Sequence, residues 1–506
     1  MLLRLAAVLL LTLGLAGCGN APGTDQVKRD LAERLAHAFT ADTFEIVSVS
    51  ARGSARDNTS PPGESRRIVY YDTRLRLTHD IDFGGWNTPG VASLVTLLGA
   101  GPKGVQGARS GGNKAGDEIF AHGTAIYRFA DGAWQEVAPA GFTLPVAPAL
   151  DTISPPSASE RVIAALQAVV HASPAGTTPA AKAVIDRELT RALATIQARL
   201  TRLSQGYPIA AGPEGGQYVR FVQALQATKP LGLTFQALIT AGSVDNLALL
   251  RQDDVLLAMA QGDVAMAALF GQGPFQSQGP FPVLRALGSL YPEPLHIIVR
   301  ADSPARSVRD LTHKRIGIGP AGSGTQATAI RVLSAYGLER GRDYEADEAP
   351  LIPALAALEA APAASQGEAG GGVDAVMEVI GTPADEVRTA ATAMKLRLLP
   401  IDAAVLSELT AKDPALLSGS IAHGSYPGVT EDVPAVVVAA LLVTTSALSE
   451  AEAAALVKAI YGNPADLLTA GSAQGGQLSV ATAHNGVPIP FAAGAEAALR
   501  DLGARP

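Results

Sequence analysis

One cysteine, Cys18, occurs among 506 residues. No internal disulfide and no cysteine-rich metal site can therefore form. Charge is scarce as well, at 17% of the chain, where roughly 25% is usual for globular proteins. Basic residues are outnumbered 39 to 47, a formal net charge of −8. That argues against nucleic acid as a main partner, since phosphate binding needs a surplus of Lys and Arg. Despite 52 glycines, neither a collagen period nor an internal repeat is present. What the chain has is apolar material, 47% of it, which excludes disorder and allows large cores. The length predicts about three domains once an N-terminal signal is discounted.

Residues 1–17 carry one basic residue, Arg4, then an apolar run, then small residues. This is the anatomy of a secretory signal, and the run is too short to span a bilayer comfortably. It ends in Leu15-Ala16-Gly17-Cys18, which resembles the bacterial lipobox. The resemblance implies cleavage before Cys18 and diacylation of its thiol, an anchor held by buried CH₂ groups. Gly19 in place of Asp implies sorting to the outer rather than the inner membrane. The alternative is a soluble secreted protein whose cysteine happens to lie there. The other long uncharged stretch, Val433 to Ser449, is interrupted by Pro434, Thr444 and Thr445. It reads as a buried parallel strand running into a loop.

Residues 18–24 form a tether. Val27, Leu31, Leu35 and Phe39 fall at four-residue steps and predict an amphipathic helix over 25–40. A strand is expected at 43–50, and from Val69 to Phe83 the alternation predicts a half-buried antiparallel strand. Glu118 to Val137 reads as a hairpin turning at Asp131-Gly132, with Tyr127, Phe129 and Trp134 as its apolar content. Together these predict a small α+β domain at 25–140, in which His79 and His122 read as structural. Residues 141–205 form a Pro- and Ser-rich boundary followed by a helical connector. From 206 to 506, short apolar runs alternate with amphipathic stretches, the pattern of an α/β domain with largely parallel sheets.

Three Gly/Ser/Thr loops in this last region lie between a strand-like and a helix-like run: 212–218, 242–246 and 319–325. Such loops expose backbone N–H groups at a helix N-terminus, where the dipole favours an anion. Gly317-Ile-Gly-Pro-Ala-Gly322 satisfies G-x-G-x-x-G formally. The stretch about 20 residues on, Arg342 to Glu348, is too charged to be the second strand of a dinucleotide fold. No lysine follows as in a P-loop, and no cofactor is implied. There is no H-x-x-x-H pair, no G-x-S-x-G elbow and no cysteine nucleophile, so an enzyme is unsupported. Asp253, Asp254, Asp263, Asp374 and Glu378 are scattered; surface charges and loop caps explain them as well as acid–base pairs.

Short matches run in order through the same region. They are the opening Gly-rich loop with Tyr218, Gly242-Ser243-Val244-Asp245-Asn246, Gln261-Gly262-Asp263 and Leu290-Tyr-Pro-Glu-Pro-Leu-His296. Asp310-Leu311, Gly322-Ser323-Gly324-Thr325, Val373-Asp374-Ala375 and Pro488-Ile-Pro490 complete the set. From about 206 to 503 the chain resembles solute receptors of TAXI-type TRAP transporters, which have the type II periplasmic-binding-protein fold. The resemblance implies two lobes, lobe I at about 206–300 and 432–506 and lobe II at about 301–431, closing over a small acidic solute. It implies ligand contacts from Gly216, Tyr218, Ser243, Asn246, Gln261, Tyr291, Ser323, Gly324 and Thr325.

Two departures stand out. Phe491-Ala492-Ala493-Gly494-Ala495 replaces the His-Pro pair usual before Gly-Ala in that family. A long N-terminal region precedes the two lobes. The expectation is a lipid-anchored periplasmic receptor for a carboxylate-bearing solute, an amino acid or organic acid such as glutamate, serving TRAP-type permease subunits or sensing. The rival is a scaffold lipoprotein that kept the fold without the ligand.

Overall fold

Val27, Leu31 and Leu35, spaced by four, are all buried on one side of helix α1 (Thr24–Ala38), as the sequence predicts. The computed structural model that contains it describes residues 22–57, 60, 63–86, 88–139, 206–360 and 372–504, with Thr178, Arg187, Glu188 and Ile196 as isolated positions. The expected signal at 1–17, Cys18 and nearly all of the connector at 141–205 lie outside the described residues.

Helix α1 covers an antiparallel sheet of β1 (Phe44–Arg56), β2 (Arg66–Leu77), β4 (Glu118–Ala130) and β3 (Val105–Gln106), in that order, with β5 (Ala133–Pro139) also paired to β4. Val69, Tyr71, Leu75 and Leu77 of β2 alternate into the core. The β4–β5 hairpin turns at Asp131 and Gly132, with φ of 54° and 78°, the positive pair that a type I′ turn needs and Asp-Gly supplies. Phe129, expected in the core, is 50% exposed and packs edge-on against Trp134. A short helix, α2 (Val91–Leu97), lies in the glycine-rich stretch; its Val91, Leu94, Val95 and Leu97 are buried.

Residues 206–504 fold into two α/β lobes that share one sheet. Its order is β11 (Glu345–Asp347), β10 (Arg315–Gly317), β12 (Ala375–Val379), β9 (Leu284–Arg300), β15 (Val433–Thr445), β8 (Leu257–Gln261), β6 (Tyr207–Gly212) and β7 (Phe235–Ile239), with β13 (Leu396–Leu398) also paired to β9 and β14 (Leu417–Ile421) to β15. In lobe I, β6 runs parallel to both β7 and β8. In lobe II, β10 runs parallel to β11 and β12. Strand β9 belongs to both lobes: residues 284–294 pair with β15, and 295–298 pair with β12. The lobes therefore meet inside β9 and β15 rather than at 300 and 432. The 433–445 stretch is a buried strand, but it pairs antiparallel with both β8 and β9, not parallel. Burial on both faces produces a continuous apolar run whichever way a strand points.

Each lobe packs helices on both faces of its part of the sheet, which gives two apolar clusters per lobe. At about 1.5–3 kcal/mol per fully buried large side chain, such cores need no disulfide. Among the described residues no helix is long and apolar enough to cross a membrane.

The N-terminal domain rests on both lobes. Leu468 of lobe I belongs to its apolar core, and its Trp86 packs on a lobe I cluster. On lobe II, the Arg388 guanidinium donates to Pro139 O at 3.1 Å and Arg66 donates to Thr392 O at 3.3 Å. His37 meets His423 edge-on, with ring centroids 5.2 Å apart.

Candidate functional site

Four strand-to-helix turns converge between the lobes. Strand β6 leads to α3 (Gln217–Thr228), β7 to α4 (Ser243–Arg251), β8 to α5 (Gly262–Phe270) and β10 to α6 (Gly324–Ala335). Their N-caps are Gly216, Gly242, Gln261 and Ser323. All four line one cavity of about 280 Å³. The first backbone N–H groups of a helix lack internal acceptors and carry the positive end of its dipole. The cavity is thus ringed by anion-favouring groups that are not full charges. All of the 212–218 turn that the sequence marks lines it, as do Pro320 and Ser323–Thr325 of the 319–325 turn and Gly242 and Ser243 of the 242–246 turn.

Seven of the nine residues expected at the ligand line this cavity: Gly216, Tyr218, Ser243, Gln261, Ser323, Gly324 and Thr325. Asn246 and Tyr291 do not. The Asn246 amide donates to Ala211 O at 2.6 Å and Met259 O at 2.8 Å, and its oxygen accepts from Thr240 at 2.6 Å. It ties α4 to β6 and β8 and has no N–H left to donate to a solute carboxylate. Tyr291 is buried among the lobe I apolar residues, and its hydroxyl has no hydrogen-bond partner. Phe491 to Ala495, where the family pattern breaks, are not among the lining residues either.

The hydroxyls are already oriented. Ser323 Oγ accepts from Gln326 N at 3.1 Å, which leaves its own proton available. Ser243 Oγ accepts from Gln261 N at 3.1 Å. Thr325 Oγ1 accepts from Val379 N at 3.2 Å and donates to Glu378 Oε1 at 2.9 Å. Tyr218 donates to Glu293 Oε2 at 2.7 Å. Glu378, which the sequence leaves open between a surface charge or loop cap and an acid–base group, faces the cavity. Asp263 is fully buried and accepts from Thr328 Oγ1 at 2.7 Å. Burial pushes the Glu293 carboxyl up to about 8, against the pull of the Tyr218 bond and helped by the nearby Glu378 charge. Burial likewise raises Glu378 to about 8, against its bond from Thr325.

Glu293, Gln217 and Arg220 also line the cavity and were not singled out. Glu293 sits in the Leu290–His296 stretch, where an acid between two prolines in an apolar run was the available signal. Gln217 reaches across the cleft: its amide donates to Gly381 O at 2.8 Å and accepts from Gly381 N at 2.9 Å. Arg220 of lobe I pairs with Asp385 at 3.2 Å and Glu386 at 2.5 Å on lobe II.

Other contacts close the opposite side of the cleft. Gly322 O accepts from Val244 N at 3.1 Å and Asp245 N at 3.3 Å. A Cβ at Gly322, whose φ is +83°, would lie 2.6 Å from Asp245 Oδ1, so glycine permits both the turn and the approach. The lobes are therefore in a closed arrangement, bridged on both sides of the cavity. No group of three or more potential metal ligands occurs among the described residues.

Residues 209–503 match the model of the NMT1-like family. The match covers well over half of the chain, and the chain belongs to that family. Solved structures similar to it include the periplasmic aliphatic sulphonate binding protein SsuA from Escherichia coli, with 16% identity, 58% of this chain and 78% of that chain covered, and a TM-score of 0.33. The alkanesulfonate-binding protein SsuA from Xanthomonas axonopodis pv. citri, bound to MOPS, has 18% identity, coverages of 58% and 83%, and a TM-score of 0.32. A putative L-cystine ABC transporter protein from Listeria monocytogenes has 12% identity, coverages of 54% and 98%, and a TM-score of 0.33.

Proposed function

We propose, from membership of the NMT1-like family as premise, that this protein is a periplasmic receptor that captures a small carboxylate-bearing solute between its lobes and does not alter it. The observation that carries this reading is the convergence of four helix N-caps on one cavity between lobes joined by β9 and β15. Helix N-termini and hydroxyls hold a carboxylate at small desolvation cost and release it readily. The solute's carboxylate lies against the Ser243 and Ser323–Thr325 turns, one from each lobe, so that binding favours closure. The chain serves a TRAP-type permease or a sensor, and the lipobox-like Leu15–Cys18 tethers it to the membrane, more readily the outer one.

A thermal-shift panel of amino acids and organic acids tests the reading, since a ligand that binds only the native state raises its stability by mass action. The expected result is a shift with one narrow class of acids, weakened about ten-fold or more in affinity when Ser323 and Thr325 are both replaced by Ala. A panel without any shift supports the scaffold alternative. Separately, Cys18→Ser is expected to move the protein from the membrane to the soluble fraction.

A further inference from the structure

The cavity that receives the solute is lined by acids as well as by helix N-caps. Its lining includes Glu214, Glu293, Glu378 and Glu386 but one cationic side chain, Arg220, and that guanidinium is held by Asp385 and Glu386. Glu293 is 3% exposed and accepts a hydrogen bond from the Tyr218 hydroxyl. Glu378 accepts from the Thr325 hydroxyl. Neither carboxyl has a basic side chain as a salt-bridge partner among the described residues. Buried carboxyls are costly unless paired; these two both face the cavity, and the Glu378 charge helps to raise Glu293.

We propose that Glu293 and Glu378 form the cation-holding pole of this cavity, selecting solutes that carry a protonated amine or guanidinium nitrogen over otherwise matched acids. The inference rests on the receptor reading and deepens it: the helix N-caps take the carboxylate and the two acids take the nitrogen. The pair's proton then becomes part of recognition. At neutral pH both carboxyls are largely protonated in the empty cavity, because burial holds them near 8. A cation arriving between them favours the ionised form, so a proton passes to solvent as the complex forms. The other charged or titratable groups around them are Tyr218 and Arg220 on α3, Tyr291 on β9, Asp263 with Arg331, and Glu386. None of these supplies a free cation to the pair.

Titration calorimetry on the full chain, at pH 7 in two buffers of different ionisation enthalpy, tests this. The probes are amino acids, among them glutamate, glutamine, lysine and arginine, each set against its counterpart lacking the amine, such as glutarate or 2-oxoglutarate for glutamate. The expected result is binding of an amine-bearing probe about 100-fold tighter than its counterpart, with net proton release. Glu293→Gln and Glu378→Gln, in variants shown by circular dichroism to be folded, should each weaken it by about ten-fold. Equal or tighter binding of the amine-free acid overturns the cation pole and leaves the receptor reading standing, since protonated carboxyls would then be donating to an anion. No binding by any probe overturns both.

The N-terminal domain touches both lobes at once, and we infer that it biases the cleft toward the closed arrangement that a bound solute completes. Its contacts to lobe I run through Trp86 and Leu468, and those to lobe II through Pro139–Arg388, Arg66–Thr392 and His37–His423. A hinge rotation that parts the lobes must break one of these two sets. Arg66→Ala combined with Arg388→Ala weakens the lobe II set without touching the cavity lining. Small-angle scattering of the ligand-free double variant is expected to show a larger maximum dimension than the wild type. A scattering curve identical to wild type overturns the inference. Should the double variant fail to fold, hydrogen exchange on the wild type decides. Amides of 388–392 should open together with those around Arg66, and independent rates overturn it.

Discussion

Gly324 of lobe II lies so close to Gln261 of lobe I that a Cβ at 324 would overlap the Gln261 carboxamide. The contact sits at the floor of the cleft, where the N-caps of α5 and α6 meet. A side chain at 324 must therefore displace the Gln261 carboxamide, itself a cavity-lining group that meets Thr328 of lobe II, and so disturbs closure rather than local folding. Gly324→Val is expected to leave each lobe folded and to keep the cleft from shutting. Scattering should report a more open molecule, with solute affinity down by about ten-fold or more.

Asn246 and Ser243 occupy the same turn but have different duties. Replacing Asn246 by Ala strips two buried carbonyls, Ala211 O and Met259 O, of their donor. That should cost about 2–4 kcal/mol in urea unfolding, while the affinity of the remaining folded protein stays near wild type. Ser243→Ala strips the buried Gln261 N–H of its side-chain acceptor and should cost about 1–3 kcal/mol, but unlike Asn246→Ala it should also weaken solute binding.

Tyr291 supplies a complementary check on the site's limits. Its hydroxyl is buried without a partner, so Tyr291→Phe removes a polar atom that is already unsatisfied. Stability should stay within about 0.5 kcal/mol of wild type or rise slightly, and binding should not change. A large loss of affinity would return Tyr291 to the ligand.

The two cavity acids also govern stability against pH. Glu293 and Glu378 keep their protons to about 8 when folded, against 4.5 for a free glutamate. The folded chain therefore binds more protons than the unfolded chain between those values, and its stability falls as pH rises through them. His296, held down to about 4 by burial, opposes this below its ordinary 6.5, because the unfolded imidazole takes up a proton that the folded one refuses. The window from 6.5 to 8 isolates the acids. Melting temperature should decline across it, and Glu378→Gln should flatten the decline.

Much of the architecture was legible because its signals are local. Asp131-Gly132 marks a type I′ turn by chemistry alone, and the four-residue spacing of Val27, Leu31 and Leu35 marks α1. The glycine-rich loops before α3, α4 and α6 were legible for the same reason, and seven of the nine residues taken from them and from the family pattern line one cavity. What was not legible depends on tertiary contact. Helix α2 is short and buried on most sides, so no amphipathic period betrays it. The direction of β15 is set by its neighbours, not by its own apolar run. Asn246 and Tyr291 stand beside lining residues in sequence, yet their side chains point into the lobe. Glu293 and Glu378 lie on strands, where an isolated acid reads as exposed; only the meeting of the lobes makes them a pair.

The central claim is that this chain holds a small solute in the cleft by closing its lobes. Mass spectrometry of small molecules released when the gently purified, full-length protein is denatured tests it most directly. The account predicts a near-stoichiometric, carboxylate-bearing compound bearing a basic nitrogen, released from the wild type and missing from Gly324→Val. A wild type that releases nothing, and whose melting temperature no amino acid or organic acid raises, would contradict it.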